Sequence, residues 1–461
     1  MSFLSQSQSV SGTKHTAFIV TLLTGTFSMS ISQSSLSTAY PAFMKSFGLS
    51  ASTVSWLTTG FMLVMSLMIP VSPWLLNNVG FKRLFQSIVA LFAVGTVFCI
   101  WAPSFTVLMI GRLMEALAVG IIFPSYQTVL LTITPREARG RTMGLAGLVM
   151  GSALAVGPII SGVLLSFFPW QALFALFLIV ALMVLAASTV TITDVMPKDL
   201  STLDWLSVIL AASFPALLYV LSEATHAGMN AALWTILIVS VLAALWFTAR
   251  QLKMKKPLLE LRVFKTSLFT KAVLMTGISY IALIVTTIVM PLYFQDVLKV
   301  SPLISGLSLV PAAVLLSLLN PRAGSLLDKI GPRRVVTIGM SLIVIGFIML
   351  GLLVGRMPLI VAIIGAMFTE AGNAFVMMPA VTAGANALPK SLISDGTAVT
   401  TTIRQLLGST GVAVATMILS TVQAATGSQN AGFTATFFVF AAVGVVGLLL
   451  GLTMLENKLP N

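Results

Sequence analysis

"GSLLDKIGPRRVV", residues 324–336, and "PWLLNNVGFKRLF", residues 73–85, are two versions of one polar break between long apolar runs. Leu75, Leu76, Gly80, Lys82 and Arg83 align with Leu326, Leu327, Gly331, Arg333 and Arg334 at a constant offset of 251 residues. The same offset carries residue 17, where the first apolar run begins, onto residue 268, where the ninth begins. A duplication with both copies in one orientation predicts two similar halves related by an axis along a membrane normal.

The membrane follows from composition. Of 461 residues, 57% are hydrophobic and 8% charged, whereas soluble domains carry about 25% charged residues. Apolar runs of about 18 residues or more recur from end to end, the length that a bilayer-spanning helix needs. Helices satisfy their backbone groups within the segment, as lipid requires, and the short alternating segments of a β-barrel do not occur. Fourteen spans are read, at about 17–41, 53–76, 84–101, 105–131, 143–168, 170–193, 204–222, 231–249, 268–295, 303–321, 334–354, 358–380, 398–423 and 432–454. The expected fold is an all-α polytopic membrane protein with an N-terminal six-helix bundle (1–195) and a C-terminal one (267–461). Two inserted helices and a basic linker (196–266) lie between them.

The net charge of +13 is a topology signal. With the N-terminus in the cytoplasm, 20 of the 25 lysines and arginines fall on the cytoplasmic side, which fits the positive-inside rule with both termini inside. Nucleic acid is excluded as a partner on this distribution, and the basic linker "RQLKMKKPLLELRVFKTSLFTK" (250–271) is read as meeting anionic lipid. One cysteine, Cys99, and two histidines, His15 and His226, leave no basis for a metal centre. The polar first 16 residues carry no cleavage signal, and no phosphate-binding G-x-x-x-x-G-K-[ST] pattern is present.

Two glutamates occupy matched places in the repeat. Glu115 and Glu370 each stand nine residues before a proline, Pro124 and Pro379, in the fourth span of each half. Both fall about 15–18 Å into their spans, near the bilayer midplane. Charge at that depth is costly and marks functional sites, and a carboxyl there exchanges its proton as a cavity alternates between dry and wet. The bland alternative ties Glu115 to Arg112 one turn away and Glu370 to Asn373. Arg112 keeps its proton, so it assists Glu115 or simply pairs with it.

The loop at 324–336 resembles the G-x-L-x-D-x-x-G-x-R/K signature of the major facilitator superfamily, matched by Gly324, Leu326, Asp328, Gly331 and Arg333. The first-half copy (Asn77, Gly80, Lys82, Arg83) departs, with Pro73 for the first glycine and Asn77 for the aspartate that latches a cytoplasmic gate in that family. "LMIGRLMEALAVG" is similar to the fourth-span signature through Arg112, with Glu115 in place of the usual glutamine. "GLVMGSALAVGPIISG" (147–162) resembles the fifth-span antiporter signature through Gly147, Gly151, Gly157, Pro158 and Gly162. With fourteen spans, the chain resembles the drug:proton antiporters of the EmrB/QacA type, except that Ser32 stands where a first-span aspartate is usual.

That resemblance implies a proton-coupled multidrug efflux antiporter, not an enzyme, in a bacterial plasma membrane. It would be a monomer that needs no cofactor beyond the proton motive force and exports small amphipathic or aromatic compounds. The alternatives are a dedicated lipid or metabolite exporter and a non-transporting sensor. Expected proton-coupling residues are Glu115, Glu370 and Arg112, and expected cavity residues are Gln33, Ser37, Tyr126, Asn373 and Met377. Gln33 and Ser37 belong to a first-span polar stripe with Ser30 and Tyr40, and Met377 to an adaptable apolar surface. Arg404 is expected to snorkel or pair near the cytoplasmic end of its span.

Overall fold

The computed structural model describes residues 12–196, 198 and 200–454. The first eleven residues of the polar N-terminal segment lie outside them, as does the His226 side chain. All regular structure among the described residues is helical. The first half consists of α1 (Gly12–Ser35), α2 (Tyr40–Phe47), α3 (Ala51–Met68), α4 (Ser72–Asn78), α5 (Phe81–Ile100), α6 (Phe105–Ile133), α7 (Arg139–Phe167) and α8 (Gln171–Thr191). The insertion holds α9 (Trp205–Ala211), α10 (Ser213–Ala227) and α11 (Ala231–Lys253). The second half consists of α12 (Ser267–Asp296), α13 (Pro302–Leu307), α14 (Val310–Ile330), α15 (Pro332–Leu353), α16 (Leu359–Asn386), α17 (Ile393–Thr426) and α18 (Gln429–Leu452).

Among the described residues, 11 helices are long and apolar enough to cross a membrane, or 12 when α3 and α4, bent by 51°, count as one span. The fourteen runs read from the sequence are therefore not all matched. α1, rich in serine and threonine, and the broken pair α9–α10 fall short of that standard. The duplication is visible in the packing. α5 lies against α6 and α8 and α1 against α7, while α15 lies against α16 and α18 and α12 against α17. Each half centres on a large apolar core, the first extended by Met378, Val381, Ala385 and Ile393 of the second half.

The halves meet most closely along α7 and α14. Gly140, Gly144, Gly147 and Gly151 of α7 face Gly324, Pro321, Asn320 and Ser317 of α14. A Cβ on Gly144 would stand 2.6 Å from the Asn320 carbonyl oxygen, so only small residues let these backbones approach. Further along α7 the contact ends, and Gly162 has nothing within 4 Å. The two helices thus cross at the end of the molecule where α1 begins and α18 ends, and splay toward the far end.

The insertion is fastened by polar contacts at its base. Arg250 donates from Nε and Nη2 to the Asp204 carboxylate at 2.8 and 3.1 Å. Gln251 donates to Ser207 at 2.6 Å and accepts from the Leu258 and Leu259 amides. α10 then lies against both α3 and α17, bridging the halves on the flank opposite the glycine seam. Trp56 of α3 and Tyr219 of α10 bring their rings to 6.0 Å there.

Candidate functional site

A cavity of about 1100 Å³ lies between the halves, from mid-molecule to the far end. Its walls come from the second half of α1, the middle of α3, α6, α7 from Gly147 onward, and α12, α13, α14, α16 and α17. The predicted first-span stripe lines it in full: Ser30, Gln33, Ser37 and Tyr40 all face this space. The Tyr40 hydroxyl is held by Thr58 at 2.6 Å. Tyr126 and Met377 line it as well.

The two glutamates are separated by the fold. Glu370 lies on the cavity wall, 6% exposed, and its Oε2 accepts from Asn373 Nδ2 at 3.3 Å. Asn373 is not on the wall. It is fully buried behind Glu370, where its Oδ1 accepts from Ser279 at 2.6 Å, so the expectation that it lines the cavity is corrected. Its tie to Glu370, the bland alternative, is present.

Glu115 is enclosed. Its Oε1 accepts from Thr96 of α5 at 2.7 Å, and its Oε2 accepts from Ser32 of α1 at 3.2 Å and from Arg112. Arg112 also donates to Ser32 at 2.9 Å and sits 4.4 Å from the centre of the Phe61 ring of α3. Glu115 is fully buried and Arg112 nearly so, and neither reaches the cavity wall. In this conformation, of the two glutamates only Glu370 meets the cavity. The reason is the i, i+3 ion pair, which closes on itself through Ser32. Ser32 was noted only as a missing aspartate, and its hydroxyl proves to join the pair.

Arg404 is the residue that sequence reading missed. It lines the cavity, with its guanidinium carbon 5.3 Å from the centre of the Tyr280 ring. The reading of a snorkelling arginine near the helix end placed the start of its span at 398. α17 begins at Ile393, so Arg404 stands eleven residues in, about 17 Å along the helix.

Of the fifth-span signature, Gly147, Gly151, Pro158 and Gly162 face the cavity. Gly157 instead gives room for Ser34 of α1, whose hydroxyl donates to the Ala153 carbonyl at 2.7 Å. Pro158 sits inside α7 without ending it.

The end where α1 begins and α18 ends is shut by contacts between the halves. Asp328 accepts from the Gly140 and Arg141 amides, each at 2.8 Å, at the start of α7. Arg139 donates to Asn386 of α16 at 2.7 Å, and Thr128 of α6 bonds Thr397 of α17. Gly324 lets α14 come against Gly140, Gly331 (φ 82°) turns the chain into α15, and Arg333 is exposed. The first-half loop behaves differently. The Lys82 amide donates to Asp194 at 2.9 Å, Gly80 packs on that same carboxylate, and Asn78 is bonded to Ser201. Among the described residues Asn77 makes no such bond to the other half, and Arg83 is exposed.

Replacing Asp328 by alanine leaves the Gly140 and Arg141 amides without their acceptor, a loss of about 1.5–3 kcal/mol for bonds to a charged group. Roughly a 10- to 100-fold shift away from the state closed at this end is expected. Cys99 is buried, so a cysteine placed at Ser37 reports cavity access through its labelling rate. An unchanged rate in the Asp328→Ala background means that the carboxylate is no latch.

Comparison with known proteins agrees with this architecture. A sequence model described as Major Facilitator Superfamily matches residues 22–412. The chain is 36% identical over 447 residues to the uncharacterized MFS-type transporter YcnB of Bacillus subtilis, covering 95% of both chains. It is 33% identical over 446 residues to the lincomycin resistance protein LmrB of Listeria monocytogenes, covering 93% of this chain and 94% of that one. In structure it resembles the proton:xylose symporter XylE, with a TM-score of 0.68, 15% identity and 97% of each chain covered.

Proposed function

The chain belongs to the Major Facilitator Superfamily, and we propose that it is a proton-coupled exporter of small amphipathic compounds, with fourteen crossings in the manner of the EmrB/QacA-type antiporters. A relative named for lincomycin resistance supports a drug-like cargo. Bacterial relatives support placement in a plasma membrane. With the basic loops in the cytoplasm, the cavity opens to the outside and the Asp328 latch closes the inside.

One observation carries the coupling: Glu370, eleven residues into α16, is a carboxyl on the wall of a large, mainly apolar cavity. In the proposed cycle Glu370 takes a proton from outside, the bundles rock, and the proton leaves inside as substrate enters. The charged groups facing this space are Glu370 and Arg404. Asn373 and Ser279 hold the Glu370 carboxyl from behind.

The test is transport by the purified chain in sealed vesicles carrying an imposed pH gradient. A lipophilic fluorescent cation should move against its own gradient only while the pH gradient lasts, and a proton uncoupler should stop it. Movement indifferent to the gradient removes proton coupling. No movement at all, with dye binding intact, leaves a sensor.

A further inference from the structure

Two arginines lie deep in the bundle, and the fold treats them in opposite ways. Arg112 is matched in charge by Glu115, hydrogen-bonded to Ser32 and covered by Phe61. Arg404 has the Tyr280 ring beside it and no hydrogen-bond partner among the described residues. No carboxylate pairs with it among the described residues, and its Nε is buried without an acceptor.

An arginine so placed has one way to become compensated. It cannot shed its proton, and an uncompensated charge in a low-dielectric interior is expensive. Water can cover it while the cavity is open. When the halves close over a substrate, that water is displaced and the guanidinium needs an acceptor. Its planar fork suits a carboxylate or a similar oxyanion, which it can bind through two parallel hydrogen bonds. The surrounding wall offers Tyr126, Tyr280, Phe123 and Met378 for an apolar or aromatic body.

We propose that Arg404 is the anion subsite of the cavity, and that preferred substrates are amphiphiles bearing a carboxylate or other oxyanion beside an aromatic body. Glu370, on the same wall, supplies the opposite sign. The cavity is thus built for zwitterions, with a substrate cation or a proton at Glu370 and the oxyanion at Arg404. This deepens the export reading and rests on the cavity being the transport path.

The experiment uses the full chain in lipid nanodiscs and two rhodamine dyes that differ at one group, a free carboxylic acid and its methyl ester. Binding is read by dye anisotropy. Wild type should bind the acid roughly tenfold more tightly than the ester, the size of one charge-assisted pair. Arg404→Gln should remove that preference, weakening the acid about tenfold and leaving the ester within about twofold. Arg404→Lys should retain part of it, because a point charge replaces the fork, and its ester binding reports that the cavity is intact.

Equal affinity of wild type for the two dyes, or no binding of either, overturns the proposal. So does a loss in Arg404→Gln that is the same for both dyes, which would make the stack on Tyr280 structural. Ester export driven by a pH gradient, without any preference for the acid, sinks the subsite and spares the exporter. A clear acid preference without gradient-driven transport does the reverse.

Discussion

Replacing Glu370 with glutamine is expected to uncouple transport from the pH gradient while leaving the cavity in place. Glutamine has nearly the same shape and its side-chain oxygen can still accept from Asn373, which donates to Glu370 Oε2 at 3.3 Å. The group that carries the proton is gone. Coupling free energies of about 1–3 kcal/mol correspond to roughly 5- to 150-fold in rate or affinity, and gradient-driven export should fall within that range. Exchange of internal for external dye, which needs no net proton movement, should survive. The contrast between the two assays separates lost coupling from lost folding. Wild-type dependence on the gradient in Glu370→Gln would place the proton elsewhere.

The second large effect is on stability. Glu115→Leu removes the carboxylate paired with Arg112 in an enclosed cluster of four helices. Breaking a buried ion pair from one side costs about 3–5 kcal/mol, because the remaining charge stays buried and unmatched. The N-terminal bundle should accordingly unfold at markedly lower temperature, read by size-exclusion survival after heating in detergent.

A compensating change sharpens this. Ser32 Oγ lies 2.9 Å from Arg112 and 3.2 Å from Glu115. The double variant Ser32→Asp with Glu115→Gln moves the acid across that short gap and should regain most of the stability. It would also restore the first-span aspartate and fourth-span glutamine of the EmrB/QacA pattern. If Glu115→Leu and the double variant both survive heating as wild type does, the cluster is not holding the bundle together.

Much of this was legible because it is local. The spans and the two loop copies are runs of neighbouring residues, and Arg112 with Glu115 is a pair one helical turn apart. The stripe of Ser30, Gln33, Ser37 and Tyr40 follows from helix periodicity alone, and all four face the cavity. What escaped depends on several helices at once. Ser32, Thr96 and Phe61 reach the Arg112–Glu115 pair from α1, α5 and α3, and no spacing in the sequence brings them together. Arg404 was misplaced for a simpler reason. The polar opening of α17, with Ser394, Asp395 and Thr397, reads as loop, yet it is already helix and buried against its neighbours.

The unequal flanks of the molecule bear on how it would rock. On one side the glycines of α7 lie directly against Gly324, Pro321, Asn320 and Ser317 of α14, a seam of small groups at close range. On the other, α10 is wedged against α3 and α17, like a strap across a book's spine. Separation on the strapped side must drag α10 or slide along it, whereas the α7–α14 side has no third helix to move. The gape should therefore be lopsided, and probes astride α7 and α14 should record a wider swing than probes astride α3 and α17.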